Sequence, residues 1–437
     1  MDSLSARGWI AYRIGMSLDI TPSEELLGSD DAAGGAGLAD RTLWIMAGAC
    51  GIAAANIYYN QPLLEKFAAA FDVSAAQAGL VATAAQVGYG VGIFFFCPLG
   101  DLIERRRLVL LLMGACCLLL VGMALAKFFW LLVVFQLLVG ITAMSAQVLI
   151  PLAIDLSPPA RRGHTVGILM AGLLMGILLA RTVAGFVGDA FGWQSVYVMA
   201  ATGSAGMAVL LWVSLPHRAP TLRVSYPRLM HSLIELLATQ PQLWVSSMVS
   251  GLSFAGFTAF WTTLVFLMKD HFHRGASEAG MFGIIGVAGA LAAPVAGKVS
   301  DRWGPRVAIT AALVASGLAF ALMGFWVSIA GLILGVLLMD MGVQSIQVAE
   351  QSTVMALLPQ SRSRINTLYM VGRFMGGAVG SALGAVAWSR FGWTGVCGLC
   401  VMLMMIAMAI HLIGRNLIAA SRGYANAEES PRGVLAE

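Results

Sequence analysis

Twelve apolar runs of about twenty residues each constrain this chain more than any other feature. They lie near 42–64, 75–98, 107–126, 129–154, 165–188, 194–215, 242–268, 278–297, 307–325, 328–352, 364–388 and 393–414. Each is long enough to cross a hydrocarbon core of roughly 30 Å. Lipid offers no partner to a backbone N–H or C=O, so such runs must close their hydrogen bonds internally, as helices. The expected fold class is an all-α polytopic membrane protein with twelve transmembrane helices. Only 11% of the residues are charged, against about 25% in soluble domains, which excludes a soluble globular chain. The net charge of +4 is spread along the 437 residues, and no nucleic-acid partner is expected.

Basic residues orient the spans. With the N-terminus cytoplasmic, the inner segments hold 19 of the 26 Lys and Arg residues, among them Arg105, Arg106, Arg302 and Arg306. The outer loops hold five, and Arg181 and Arg373 remain inside the spans. This bias sets both termini in the cytoplasm.

The chain also repeats itself at an offset of 200 residues. PARRGHTVGILMAGLLMG at 159–176 aligns without gaps to PQSRSRINTLYMVGRFMG at 359–376, and Phe191-Gly192-Trp193 returns as Phe391-Gly392-Trp393. The same shift pairs Asp101 with Asp301 and Gln147 with Gln347. Two duplicated six-helix halves are the sequence sign of a transporter with its site between the repeats. The expected organisation is a flexible cytoplasmic tail (1–40), a first bundle (41–215), a linker (216–241), a second bundle (242–414) and a cytoplasmic C-terminal tail (415–437). In the linker, Leu229, Leu233, Leu236 and Leu237 mark one face of an interfacial helix.

At these residues the sequence resembles the major facilitator superfamily, and within it the drug-efflux-like proton antiporter branch that includes arabinose-efflux-permease-like proteins. The most specific stretch is GKVSDRWGPR at 297–306, which matches the family's cytoplasmic G-x-x-x-D-R-x-G-x-R loop through Gly297, Asp301, Arg302, Gly304 and Arg306. Its first-half copy, CPLGDLIERRR at 97–107, keeps Asp101, Arg105 and Arg106. NIYYNQPLL at 56–64 and GILLAR at 176–181 look like a bacterial subgroup of the family. The antiporter motif of the fifth span is half present: Gly172 and Gly176 fit, while Ile177 stands for Pro and Ala180-Arg181 for a glycine pair. The resemblance implies two pseudo-symmetric bundles and alternating access. It also implies a central cavity surrounded by spans 1, 4, 7 and 10. The loop ion pairs would then latch the inner side. The function implied is proton-coupled efflux of a small organic compound by a monomer, with the proton gradient in place of a cofactor; uptake by symport is the alternative.

Those four spans independently carry polar faces: Asn56, Tyr59 and Asn60; Gln136 and Gln147; Phe254, Thr258 and Trp261; and Asp340, Gln344, Gln347 and Gln351. A polar stripe on an apolar helix should face a cavity or another helix, not lipid. Asp340 weighs most, because a carboxylate at the middle of a span costs roughly 2.5–3.5 kcal/mol on insertion scales. By helical rise it lies ~18 Å below the outer boundary, and Arg373 ~12–13 Å above the inner one. Arg181 lies ~24 Å up its span, which makes Arg373 the better partner by depth. Asp340 is then either a working proton or cation site or half of a static pair. Arg181 is a candidate for an anionic group or a cluster of carbonyls. The glycines at 88, 90 and 92 sit inside a span with no strand before them, so they suit close helix packing rather than phosphate. No metal-ligand spacing or nucleophile motif occurs, and no enzyme is expected.

Overall fold

The computed structural model describes residues 39–217, 225–290, 302–358 and 361–428. Gly297 and Asp301 lie outside these, as do most of the N-terminal tail and part of the linker. The described residues are helical, with no strand among them. In chain order the helices are α1 (Asp40–Tyr58), α2 (Leu64–Phe71), α3 (Ala75–Leu102), α4 (Arg105–Ala124), α5 (Phe129–Ala143), α6 (Ser145–Leu156), α7 (Arg162–Phe191) and α8 (Trp193–Ser214). They continue as α9 (Tyr226–Thr239), α10 (Pro241–Asp270), α11 (Ala276–Ala290), α12 (Pro305–Phe325), α13 (Ile329–Met355) and α14 (Arg362–Glu428). The first apolar run takes in α1 and α2, and the fourth takes in α5 and α6. The last two runs share α14, whose backbone leaves the helical region at Gly392 (φ 61°, ψ −154°). Among the described residues ten helices are long and apolar enough to cross a membrane, one of them holding the last two runs.

Local chemistry explains the ends. Ser74 caps α3, accepting from the Gln77 amide while Gln77 accepts from the Ser74 amide. Ser328 caps α13 by accepting from the Gly331 amide at 3.0 Å. Gly192 (φ 83°) and Gly392 occupy the two Phe-Gly-Trp turns, at a backbone conformation that glycine alone adopts at no steric cost. The tryptophan after each turn is buried: Trp193 packs edge-on to Phe67, and Trp393 donates to the Met323 carbonyl at 2.9 Å.

Equivalent helices pack in equivalent ways. In the first half α1 lies on α7, where a Cβ at Gly176 would collide with the Gly51 carbonyl. In the second half α10 lies on α14, and a Cβ at Gly376 would collide with the Gly251 carbonyl. Apolar lipid tails give helices no hydrophobic reason to associate, so this close backbone approach supplies the van der Waals attraction. Large apolar side chains such as Leu118, Phe128, Trp212 and Phe325 stay exposed on the outside, as a lipid-facing surface requires.

The halves join along two helix pairs, α3 on α14 and α7 on α11. On the membrane face opposite the first helix's start (the far face), Lys269 pairs with Glu65 across the junction. There Asp189 accepts from the Ser277 amide at 2.7 Å and from Lys66 at 2.8 Å. Thr182 donates to the Gly280 carbonyl at 2.8 Å. The α7–α11 contacts reach from Leu178 to Asp189, the far-face portion of α7. Helix α9 turns Leu229, Leu233 and Leu236 inward, and its Tyr226 hydroxyl donates to the Phe95 carbonyl at 3.0 Å.

Candidate functional site

Helix α10 lies at the centre: 94% of its most apolar window is buried inside the protein, the largest share of any span. One face, Phe254, Phe257 and Trp261, carries an aromatic row, with Phe254 and Phe257 stacked at 5.4 Å. Both intramembrane arginines end on that row. Each is almost wholly buried, and each guanidinium spreads over an aromatic face.

Arg181 comes from α7. Its guanidinium lies 4.2 Å from the Trp261 ring centre and 4.7 Å from that of Tyr58. Its Nε donates to Gln61 Oε1 at 2.7 Å, and Nη1 donates back to the Ile177 carbonyl at 3.1 Å. Nη2 has no acceptor among the described residues. Cation–π contacts of this kind are worth up to about 2 kcal/mol when desolvated, so the rings hold the charge without neutralising it. Arg373, from α14, lies 4.2 Å from the Phe254 ring centre and donates to Ser250 Oγ at 3.0 Å. Ser250 also accepts from Tyr369 at 2.9 Å.

Asp340 is 2% exposed on α13. Its Oδ2 has no hydrogen-bond partner among the described residues and sits against α11, where a Cβ at Gly286 would come within 2.9 Å of it. Arg181 abuts the same turn of α11, where a Cβ at Gly283 would come within 3.3 Å of its Cβ. This reverses the expectation from depth, which favoured Arg373. Counting rise along separate helices ignores tilt and the reach of a long side chain. Contact of α7 with α11, and of α11 with α13, brings Arg181 towards the acid, while Arg373 is drawn to α10 instead.

The other polar residues divide. Asn56 donates to Ser204 Oγ at 3.1 Å and to Cys116 Sγ at 3.4 Å, tying α1 to α8 and α4 within the first half. Thr258 donates to the Gly377 carbonyl at 2.7 Å, so it fastens α10 to α14. Asn60 closes on the Ile57 carbonyl at 2.7 Å beside the buried Tyr59. Gln136 is fully buried with no partner for either amide atom among the described residues. Gln147 donates to the Tyr89 hydroxyl at 3.2 Å, and Gln344 and Gln347 are half-buried. Asn56 and Thr258 therefore act as ties between helices, and the stripe divides by element.

The loop motif likewise acts within one half. Arg105 pairs with Asp101 at 2.8 Å and with Asp155 at 2.6 Å, joining the end of α3 to the end of α6. Arg106 donates to the Trp212 carbonyl at 2.5 Å. The loop ion pairs were expected to latch the inner side; Asp101 does pair with Arg105, and the partners observed for Arg105 and Arg106 all belong to the first half. In the second-half copy, Gly304 has φ 85°, Arg306 is exposed, and Arg302 lies 5.6 Å from the Trp303 ring centre. Gly172 and Gly176 pack α7 on Ala47 and Gly51.

Several residues escape the sequence-based list. Gln61 and Tyr58 belong to the quoted NIYYNQPLL stretch, but a Gln before Pro62 reads as a helix break rather than a ligand. Glu350 sits one residue before Gln351 in the same stripe; it is 2% exposed and 3.9 Å from His411 Nδ1. The lone histidine of the final span gave the only hint of that pair. Among the described residues no group of acidic, His and Cys side chains could hold a metal.

Comparison with known proteins places the chain. The Major Facilitator Superfamily model matches residues 44–289 and 247–433. The uncharacterised transporter YgaY of Escherichia coli O157:H7 is 37% identical over 355 residues, covering 81% of this chain and 90% of that one. A Streptomyces coelicolor protein named "Probable transporter SCO4007" is 31% identical over 351 residues, 79% of this chain and 81% of its own. Among solved structures, a bacterial homologue of the human lysosomal transporter Spinster, inward-facing and occupied, superposes with a TM-score of 0.69. It is 17% identical and covers 89% of this chain and 98% of its own, which speaks for the fold alone. Family match, relatives and twelve-span architecture agree: the chain belongs to the Major Facilitator Superfamily and is a multi-pass membrane transporter, not an enzyme.

Proposed function

We propose that this secondary transporter couples movement of a small, partly apolar organic compound to protons by alternating access, and that Asp340 is the proton-carrying group. One observation carries the reading: Asp340 is a buried carboxylate at the junction of the halves, with Oδ2 unpartnered among the described residues and Arg181 abutting the same turn of α11. A static structural pair would place a donor against that oxygen, and an ionisable group left unpaired inside a membrane protein is retained for a working role. The positive-inside bias supports cytoplasmic termini in a bacterial inner membrane, and with them closure of the outer side by the far-face contacts. Export is the direction the efflux-branch resemblance supports. Uptake by symport is the second reading, favoured by Ile177 and Arg181 standing where the antiporter motif has proline and glycine.

Inverted membrane vesicles test both points. After a growth screen of deletion and overexpressing strains has supplied a transported compound, an exporter loads such vesicles when a proton gradient is imposed. Asp340→Asn should abolish the gradient-driven component at normal expression. Undiminished proton-driven transport by that variant ends the proposal; unloading rather than loading reverses the direction.

A further inference from the structure

Between α7, α10, α11 and the turn after α1 lies a small cavity lined by Gln61, Pro62, Arg181, Trp261, Leu264 and Val265, with Ala279 completing its wall. Three of these side chains carry nitrogen donors left without an acceptor among the described residues: Arg181 Nη2, Gln61 Nε2 and Trp261 Nε1. All three residues are at least 97% buried, since their exposures are 1%, 2% and 3%. Gln61 has its carbonyl end committed to Arg181 Nε, which fixes the amide with its NH2 free. Among the described residues no lining side chain offers an unpartnered acceptor. A buried donor without a partner costs about 1–3 kcal/mol, so three at one cavity is an arrangement that folding alone disfavours. The donors are complementary to something rich in acceptors, and the guanidinium adds a full positive charge to them.

The other charges around the cavity point the same way. The centre of the junction holds two buried guanidinium groups, Arg181 and Arg373, and one buried carboxylate, Asp340, which abuts the same turn of α11 as Arg181. Arg373 is engaged by Ser250 and Phe254, neither of which removes its charge. Cation–π contacts leave the Arg181 charge intact for the same reason. The remaining lining is proline and aliphatic side chain, which leaves the three donors as the unpartnered polar groups of the cavity.

We infer that this cavity binds the anionic head, a carboxylate or a planar oxoanion of similar size, of the transported compound, with Arg181 as the charge partner and Gln61 and Trp261 as orienting donors. The assignment rests on the transporter reading above and narrows its substrate class to monovalent organic anions. Arg181 and Asp340 both abut the Gly283–Gly286 turn of α11, which brings the anion site and the acid to one stretch of helix. Trp261 would then serve twice: its ring supports the cation, and its unpartnered Nε1 orients the anion.

Thermal unfolding of the purified full-length protein in nanodiscs tests this without a known substrate. The probes are sodium acetate, benzoate and nitrate, with acetamide and benzamide as uncharged counterparts at matched ionic strength. Stabilisation by the anions but not the amides is expected. Trp261→Phe keeps the ring and deletes the donor; it should weaken anion binding about tenfold, the worth of one hydrogen bond to a charged group. Gln61→Leu should do the same, and Arg181→Gln should remove the response. Equal stabilisation by anions and amides, or an anion response untouched in Trp261→Phe, overturns the site. So does the absence of any response to the three anions, which would leave the donors to water. If anions bind as stated while Asp340→Asn still transports with protons, the coupling role fails and the anion site stands. If Asp340→Asn loses coupling while no anion binds, the anion site fails alone.

Discussion

Arg181 and Arg373 occupy helices that are counterparts in the two halves, yet they are held differently. Arg373 meets a serine, a phenylalanine and the packed interior of its own bundle. Arg181 meets a glutamine from the first span, a tryptophan from the second half and a cavity with spare donors. At the offset of 200, Arg181 falls opposite Ser381 and Arg373 opposite Leu173, so the duplication has preserved the backbone and not the charges. Symmetry in this molecule builds the scaffold, and departures from symmetry build the site.

That contrast can be broken by experiment. The largest effect is expected for Arg181→Met, which should cut transport by about 100-fold while leaving folded protein, since one or two charge-assisted bonds are worth 1.5–3 kcal/mol each. Arg373→Met should instead lower the unfolding temperature and reduce transport only a few-fold. If the two variants behave alike, the distinction between a working and a packed arginine collapses. Next come Gly176→Leu and Gly376→Leu. Each forces α7 off α1 or α14 off α10, costing about 1–3 kcal/mol or more as overpacking. Both should reduce the yield of folded protein to a similar extent, and a large difference between them would show unequal halves at the scaffold as well. Arg105→Ala removes two ion pairs and a bond to the Gly100 carbonyl at the end of α3. Because Arg105 is partly exposed, a loss of about 1 kcal/mol is expected, read as a lower unfolding temperature. Smallest is Glu65→Gln at the exposed Lys269 pair. A shift of under ~1 kcal/mol is expected, fading in high salt.

Much of the fold was legible because the bilayer permits so few solutions. Twelve long apolar runs leave helices as the answer, and the Phe-Gly-Trp repeats locate two of the turns. The eighth run is described only to Ala290, and the last two merge into one long helix broken at Gly392. The site was legible only in its residue types. Asp340, Arg181 and Trp261 stand out as polar or aromatic groups in oil, but their grouping depends on tilt, which rise per residue does not carry. Asn56 and Thr258 look identical to cavity residues from sequence, since a stripe that faces a neighbouring helix has the same period as one that faces water. Gln61 and Glu350 were missed because each hides beside a louder neighbour, Pro62 in one case and Gln351 in the other.

The two Phe-Gly-Trp turns limit how the molecule can rearrange. With a single glycine between successive crossings, spans five and six have no slack to swivel against one another, and spans eleven and twelve have none either. Each hairpin must therefore travel as a stiff lever, and any rocking between orientations has to be absorbed where longer stretches join the crossings. The connection around α9 is the longest of these, so restraining it should slow exchange between orientations without touching the chemistry at the centre.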